Sequence, residues 1–206
     1  MRGAPAGTGE GTGMDRQTGD EDGDHRLLAA AGQGNQGAFK TLMLRHTKRS
    51  LALAQRMLGE PSSADEIVQE AFLRAWNVAP RWNPDRSARF TTWLYRVIVN
   101  LCLDRRRRRR PQSMEDLAAL IDDGPNGLMV VAARERRKLV TEALLALPDR
   151  QRAAITLFYF SELSGQEASE VLGMSVEGFE SLLARGRRAL RARLAELGVE
   201  HYGDLT

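Results

Sequence analysis

Two arginine clusters are the side chains in this sequence best suited to binding a polyanion. Six arginines stand consecutively at positions 105–110, and a second group lies between Arg185 and Arg193. Guanidinium groups bind phosphates through paired N–H donors, and each neutralised phosphate releases a condensed counterion. The formal net charge is only +3, so the positive charge is concentrated locally. This pattern indicates a polyanion contacted at two points, although either cluster alone is also compatible with a solvated surface.

Residues suited to acid–base, nucleophilic or metal chemistry are sparse. His25, His46 and His201 are far apart, and the single cysteine, Cys102, lies in an apolar stretch, as a buried thiol would. We therefore predict no catalytic residue, no metal site and no cofactor. No apolar stretch approaches the roughly 20 residues of a membrane span, and the N-terminus lacks the apolar segment of a signal peptide. A cytoplasmic protein without membrane insertion is expected.

The elements that must position the arginines are helices. From Leu27 onward apolar residues recur at helical spacing, without a convincing alternating run, which predicts an all-α protein. The stretch "QSMEDLAALIDDGPNG" combines four acids with a Gly-Pro-Asn-Gly breaker, which indicates a flexible acidic linker between two small helical domains. Too few large apolar residues precede the first helix to offset the entropy of ordering. We predict a disordered tail (1–25), two helical domains (26–110 and 134–197), a linker (111–133) and a C-terminal tail (198–206).

Two helices of the first domain carry polar faces. In "GEPSSADE", Ser63 and Glu66 fit a capping box, and the helix that follows has an apolar stripe opposite a compact acidic and amide face. That face is either a binding surface or merely solvated. The second helix begins near Phe90 and runs into the arginines before Pro111 ends it. On it, Trp93 is compatible with an exposed base-stacking role or with the core.

The second domain contains the pattern of a helix-turn-helix. Ser164 and Glu167 form a capping box, Gly173 permits a tight turn, and Ser175 can cap the next helix. The outward face of that helix carries arginines, as a recognition helix beside phosphates requires. An ordinary helical hairpin with a basic surface is the alternative interpretation.

Three motifs in order resemble the extracytoplasmic-function group of the bacterial sigma-70 family, over about residues 26–196. The stretch "DEIVQEAFLRAW" (65–76) is similar to region 2.2, and "RFTTWLYRVIVNLCLDRRRR" (89–108) is similar to regions 2.3 and 2.4. The stretch "LPDRQRAAITLFYFSELSGQEASEVLGMS" (147–175) leads into region 4.2. One helix-turn-helix would not be specific, whereas three motifs in this order are.

The resemblance implies an RNA polymerase sigma factor, which is not an enzyme and which binds core polymerase to start transcription at promoter DNA. It implies docking of region 2.2 on a coiled coil of the β′ subunit through Asp65, Glu66, Gln69 and Glu70. Region 4 would meet the flap of the β subunit. An anti-sigma factor is a further implied partner.

The resemblance also implies contacts with the two promoter elements. Those with the −10 element would come from Trp93, Arg96, Asn100, Arg105, Arg106 and Arg107. Those with the −35 element would come from Ser175, Glu177, Glu180, Ser181, Arg185 and Arg188. The segment "RWNPDRSAR" (81–89) matches the loop that holds a flipped −10 base in this group.

Two rival functions have specific weaknesses. A sigma-like mimic that only sequesters an anti-sigma factor needs no arginine run. A plain helix-turn-helix repressor does not account for the acidic face at 65–70. The sequence also departs from the family pattern, because Glu180 and Leu182 stand where relatives often carry lysine and arginine. Glu180 is compatible with recognition of a cytosine, with a protein contact, or with an exposed acid of no consequence.

Overall fold

The structure, a computed structural model, describes residues 14–83, 89–109, 128–161 and 163–199. Its helices are α1 (Met14–Gly32), α2 (Gln36–Leu58), α3 (Pro61–Val78), α4 (Phe90–Arg109), α5 (Leu128–Leu145), α6 (Asp149–Ile155), α7 (Gly165–Leu172) and α8 (Val176–Glu196). A 3₁₀ turn (Ala79–Arg81) follows α3, and a π-helical turn (Thr156–Phe160) follows α6. Because no strand occurs within these ranges, the predicted all-α fold is confirmed.

The chain forms two helical units, a first unit of α1–α4 and a second unit of α5–α8. Helix α1 begins at Met14, earlier than the predicted end of the tail at residue 25, and α5 begins at Leu128, inside the predicted linker. Burial of Asp24 accounts for part of the first difference. Its carboxylate is 1% exposed and lies 2.6 Å from Nη1 of Arg45 and 2.7 Å from Nε2 of His46. Of the predicted tails and linker, residues 1–13, 111–127 and 200–206 lie outside the described ranges.

The start of α3 differs from the sequence prediction. The helix begins at Pro61 with Glu60 as N-cap, so the capping box predicted for Ser63 and Glu66 is wrong. Proline fixes the backbone angle that the first helical position needs and lacks the N–H that would go unpaired there. The Ser63 hydroxyl instead donates to the Glu60 carboxylate at 2.8 Å. As a result, the Glu66 carboxylate projects from the helix.

The core of the first unit forms where α2, α3 and α4 meet. The Phe39 ring of α2 contacts the Phe72 and Trp76 rings of α3 edge-on, with centroids 6.4 and 5.0 Å apart. Full burial of a side chain such as Phe72 contributes about 1.5–3 kcal/mol relative to exposure. No helix within the described ranges has the length and apolarity to cross a membrane.

The helix-turn-helix predicted in the second unit is present as α7 and α8. Ser164 Oγ accepts from Glu167 N–H (3.2 Å) and the Glu167 carboxylate accepts from Ser164 N–H (2.9 Å), so this capping box is formed. Gly173 ends α7 with φ +62°, a left-handed conformation that favours glycine. Ser175 Oγ accepts from Gly178 N–H (3.1 Å) and begins α8. The α8 residue Phe179 is fully buried and fixes the helix on its unit.

The two units pack against each other at the end of α2. Gly59 has φ +78° and lies so close to α5 that a Cβ atom there would be 2.6 Å from Leu145 Cδ1. The Arg56 guanidinium lies 4.6 Å from the centroid of the Phe160 ring. Both contacts join the C-terminal end of α2, in the first unit, to residues of the second unit.

One buried arginine links the units at the same place. Arg152 is fully buried and donates to the carbonyl oxygens of four residues, Leu144 (2.7 Å), Leu147 (2.8 Å), Leu145 and, across the unit boundary, Met57 (2.8 Å). Burial lowers the pKa of Arg152 to about 9, with a further lowering from the charge of Arg106 and an opposing effect of Asp149. Arg152 is therefore still a cation at neutral pH.

Candidate nucleic-acid interface

The acidic and amide face predicted on α3 is exposed. Asp65, Glu66 and Gln69 are solvent-exposed, and the Glu70 carboxylate accepts from Arg74 Nε at 2.8 Å one turn further along the helix. The apolar Leu73, 59% exposed, follows on the same side of α3. A single exposed leucine is normal at a protein surface, so the acidic and amide side chains are what distinguish this face.

The aromatic residues near the start of α4 form a cluster. Trp93 is half-buried, with its ring near-parallel to that of Phe90 (centroids 6.1 Å apart) and edge-on to that of Trp82 (5.7 Å). The Trp82 indole N–H donates to His25 Nδ1 at 3.0 Å. Trp93 therefore packs on the core with one side and keeps another at the surface, which combines the two interpretations that the sequence left open.

Farther along α4, the predicted DNA-binding side chains point outward. Arg96 and Asn100 are both exposed and lie one turn apart. Arg96 donates through Nε and Nη2 to the backbone carbonyl of Glu170 at the end of α7, with an Nε–O distance of 3.1 Å. The second unit thus contacts this part of the α4 surface through Arg96 while both side chains stay exposed.

The arginine run divides among several partners. Arg105 pairs with Glu66 on α3, Arg106 pairs with Asp149 on α6 (2.6 Å), and Arg107 pairs with Asp104 within α4 (3.0 Å). Arg108 is exposed. The last two arginines of the run lie outside the residues whose side chains the structure describes. Arg105 therefore joins the α3 face to the α4 surface, which the sequence treated as separate sites.

Cys102 lies on the inner side of α4, behind these arginines. The thiol is fully buried, and burial raises its pKa to about 12 although the charges of Arg105, Arg152 and Arg106 act in the opposite direction. The thiol therefore stays protonated at neutral pH. It is a core residue, in agreement with the prediction of a buried, unreactive cysteine.

The outward face of α8 carries the residues predicted for the −35 element. Ser175 caps the helix, and all six side chains are exposed: Ser175, Glu177, Glu180, Ser181, Arg185 and Arg188. The pKa of Glu177 lies below its ordinary value because its own backbone N–H and the Ser175 hydroxyl hydrogen-bond the carboxylate. Leu182 is 7% exposed and belongs to the core of this unit.

Three residues at the boundary between the units make contacts that the sequence interpretation did not predict. Arg89 donates to the Glu167 carboxylate at 2.7 Å, and Arg106 donates to the Asp149 carboxylate at 2.6 Å. Glu167 thus serves its own helix cap and a distant arginine. Ion pairs between distant residues leave no local pattern in a sequence. The position of Arg89 at the end of the predicted base-holding loop was the one feature that could have marked it as a functional residue.

Comparison with protein families matches both units. The family model described as "Sigma-70 region 2" matches residues 42–112, and that described as "Sigma-70, region 4" matches residues 137–190. Among curated relatives, the ECF RNA polymerase sigma factor SigW of Bacillus subtilis is 33% identical over 176 residues, which cover 80% of this chain and 93% of SigW. The RNA polymerase sigma factor CnrH of Cupriavidus metallidurans is 36% identical over 185 residues, 84% of this chain and 95% of CnrH.

Solved structures with a similar fold include two sigma factors in complexes. CnrH in complex with the cytosolic domain of CnrY matches with a TM-score of 0.64 and 33% identity, over 84% of this chain and 98% of CnrH. RpoE from Bartonella quintana, in complex with the anti-sigma factor NepR, matches with a TM-score of 0.62 over 79% of this chain and 98% of RpoE. At 21% identity the second match shows the fold alone.

Proposed function

Because this chain belongs to the extracytoplasmic-function group of the sigma-70 family of transcription initiation factors, we propose that it binds core RNA polymerase through α3 and promoter DNA through α4 and α8. In this proposal α4 recognises the −10 element and α8 the −35 element. The protein acts with the polymerase in the cytoplasm and performs no catalytic step itself.

One observation carries the proposal: a single chain exposes an acidic face on α3, a basic outer surface on the neighbouring α4 and a second basic surface on α8. Charge of opposite sign on neighbouring helices suits two different partners, a protein for the acidic face and phosphates for the basic ones. A repressor would need only α8. The chain therefore has one acidic surface for a protein and two basic surfaces for DNA, as a factor that binds both polymerase and promoter requires.

Run-off transcription tests this function. Purified chain is added to core polymerase and a library of promoter fragments, and transcripts that depend on the chain are sequenced. Defined start sites are expected only when both proteins are present. Absence of any dependent transcript, with the chain folded and core polymerase active with another sigma factor, would contradict the proposal.

A protein that holds the chain inactive is a further proposed partner. The support is the similarity to CnrH, which has been solved in complex with the cytosolic domain of CnrY. The sigma-like mimic, which would bind such a partner without starting transcripts, is separated from a sigma factor by the same run-off assay.

The arginine run is expected to provide affinity without sequence preference. Replacing Arg106, Arg107 and Arg108 by glutamine should weaken promoter binding by holoenzyme, because phosphate contacts carry charge and no base identity. The slope of log affinity against log salt should become shallower by about 0.9 for each duplex phosphate that the variant no longer neutralises. Promoter binding measured from low to physiological salt checks this. An unchanged slope would show that these arginines do not contact DNA phosphates.

Glu180 is expected to influence which −35 sequences are accepted. Its side chain is exposed beside Ser181 on the outward face of α8, where a carboxylate can accept from a cytosine N4 amino group. Glu180→Ala should change the preference at one base pair by about 1–3 kcal/mol. Transcription from promoters with randomised −35 elements measures the effect. Glu142→Ala, at an exposed position of α5, is the matched control. Identical preference profiles for Glu180→Ala and wild type would show that Glu180 does not take part in −35 recognition.

A further inference from the structure

The indole of Trp82 is held by a histidine from a distant part of the chain. Its Nε1–H donates to Nδ1 of His25 at 3.0 Å, although the two residues are 57 positions apart. Their rings lie close together as well, with centroids 6.0 Å apart. An indole N–H is a donor only, so Nδ1 of His25 must be the acceptor and carry no proton. This hydrogen bond fixes the orientation of the Trp82 ring.

The imidazole of His25 is itself held in place, because α1 is anchored on both sides of it. The preceding residue, Asp24, is 1% exposed, and its carboxylate lies 2.7 Å from Nε2 of His46 on α2. At the other end of α1, Gly32 lies so close to the 3₁₀ turn that a Cβ atom there would be 2.6 Å from the Ala79 carbonyl oxygen. The helix therefore presents His25 at a fixed place beside the residue that follows this turn.

The Trp82 ring in turn supports Trp93 on α4. The two rings meet edge-on, with centroids 5.7 Å apart. The buried ring of Phe90 lies near-parallel to that of Trp93 at 6.1 Å. Trp93 is nevertheless only half-buried, so part of its ring is accessible to a ligand while two neighbouring rings hold it in place.

An accessible aromatic ring held in this way suits an unpaired base. Every base has a π-face, and stacking on an aromatic side chain replaces the stacking that the base loses when a duplex opens. Trp82 also belongs to the segment 81–89 that the resemblance assigns to a flipped −10 base, of which residues 84–88 lie outside the described ranges. A ring fixed before the base arrives loses less conformational freedom on binding than a mobile ring, which increases affinity.

We propose that His25 is a positioning residue for recognition of the −10 element. Its imidazole fixes Trp82, and Trp82 holds Trp93 in the orientation in which its indole stacks on an unpaired base. His25 acts through the two tryptophans and does not itself contact the base. The inference rests on the proposed function for the identity of the ligand. It adds α1, which the sequence analysis assigned to neither promoter element, to the −10 site.

Variants of both partners test the hydrogen bond. His25→Ala removes the acceptor, and Trp82→Phe removes the donor while keeping an aromatic ring. His25→Asn restores the acceptor, because the asparagine amide oxygen occupies nearly the same place as Nδ1 of the imidazole. Gln33→Ala, at an exposed position just after α1, is the matched control.

The assay measures the affinity of holoenzyme for a promoter fragment whose −10 region is kept unpaired by mismatches. The promoter is one that the run-off test identifies. In a second series of fragments an abasic site replaces each −10 base in turn, so that the stacking partner is missing while the backbone remains. Circular dichroism checks that each variant is folded.

His25→Ala and Trp82→Phe are each expected to weaken binding to the unpaired fragment about two- to tenfold, the usual contribution of one hydrogen bond. The double variant should lose no more than Trp82→Phe alone, since both changes remove the same bond. His25→Asn and Gln33→Ala should bind as wild type does. On the fragment that lacks the stacked base, wild type and His25→Ala should bind equally.

Equal affinities of His25→Ala and Gln33→Ala for the unpaired fragment would overturn the inference. A loss of the same size on every abasic fragment would overturn it too, because a purely structural defect does not depend on one base. Failure of the proposed function gives a different result, in which the wild-type chain starts no transcripts. The inference then falls together with the function on which it rests.

Discussion

Arg152→Met is expected to lower the free energy of unfolding by about 3–5 kcal/mol, the cost of removing one partner from a buried charged network. Methionine fills much of the space but donates no hydrogen bond. The carbonyls of Leu144, Leu147 and Met57 would be deprived of a charged donor in a place that excludes water. Each buried acceptor left unpaired costs about 1–3 kcal/mol, so the effect should be large.

Urea unfolding followed by circular dichroism measures this change, and Arg150→Met is the matched control. Arg150 lies on the same helix but is exposed, with two long contacts, of 3.3 Å to the Leu172 carbonyl and 3.9 Å to Met174 Sδ. Its replacement should cost less than about 1 kcal/mol, as for most surface substitutions. If both variants unfolded at the same urea concentration, Arg152 would not be the link that its contacts suggest.

Asp65→Lys combined with Gln69→Ala should reduce affinity for core polymerase at least 100-fold while leaving the helix content unchanged. Both side chains are exposed on α3, so the fold does not depend on them. A reversed charge at a protein interface meets repulsion in place of attraction, and contacts at the centre of an interface are worth about 2 kcal/mol or more each. Fluorescence titration of labelled chain with core polymerase measures the reduction.

The control for this pair is Glu142→Lys, which reverses one charge on an exposed position of the second unit. It should leave the affinity within about twofold of wild type, because general electrostatic attraction changes little for one distant charge. If the α3 variant bound polymerase as well as this control, with its circular dichroism intact, the α3 face would be a solvated surface and nothing more.

The elements predicted well from sequence are those whose determinants lie within one or two turns. The Ser164–Glu167 capping box, the Gly173 turn and the Ser175 cap are local chemistry, and the structure has all three. The failure at Ser63 has a local cause too. The helix starts at Pro61, three residues earlier than a cap at Ser63 would place it, and a serine-glutamate spacing alone does not reveal which N–H groups remain unpaired.

The contacts between the units could not be predicted from the sequence. Arg89 and Glu167 are 78 residues apart, and Arg152 and Met57 are 95 apart. Such pairs depend on how two helical surfaces meet, and neither partner has neighbours in sequence that mark it. "LPDRQR" carries two arginines of similar local setting, of which Arg150 is exposed and Arg152 fully buried. Only packing distinguishes them.

The reactivity of the buried Cys102 thiol measures how often the structure around α4 opens. Alkylating and disulfide reagents attack the thiolate, which burial and a pKa of about 12 suppress in the closed molecule. The labelling rate of native protein therefore equals the population of opened conformations multiplied by the reactivity of an exposed cysteine, when reclosing is fast. Since Cys102 lies behind the α4 arginines, any partner that tightens or loosens this helix becomes visible as a change in thiol chemistry, with no label introduced.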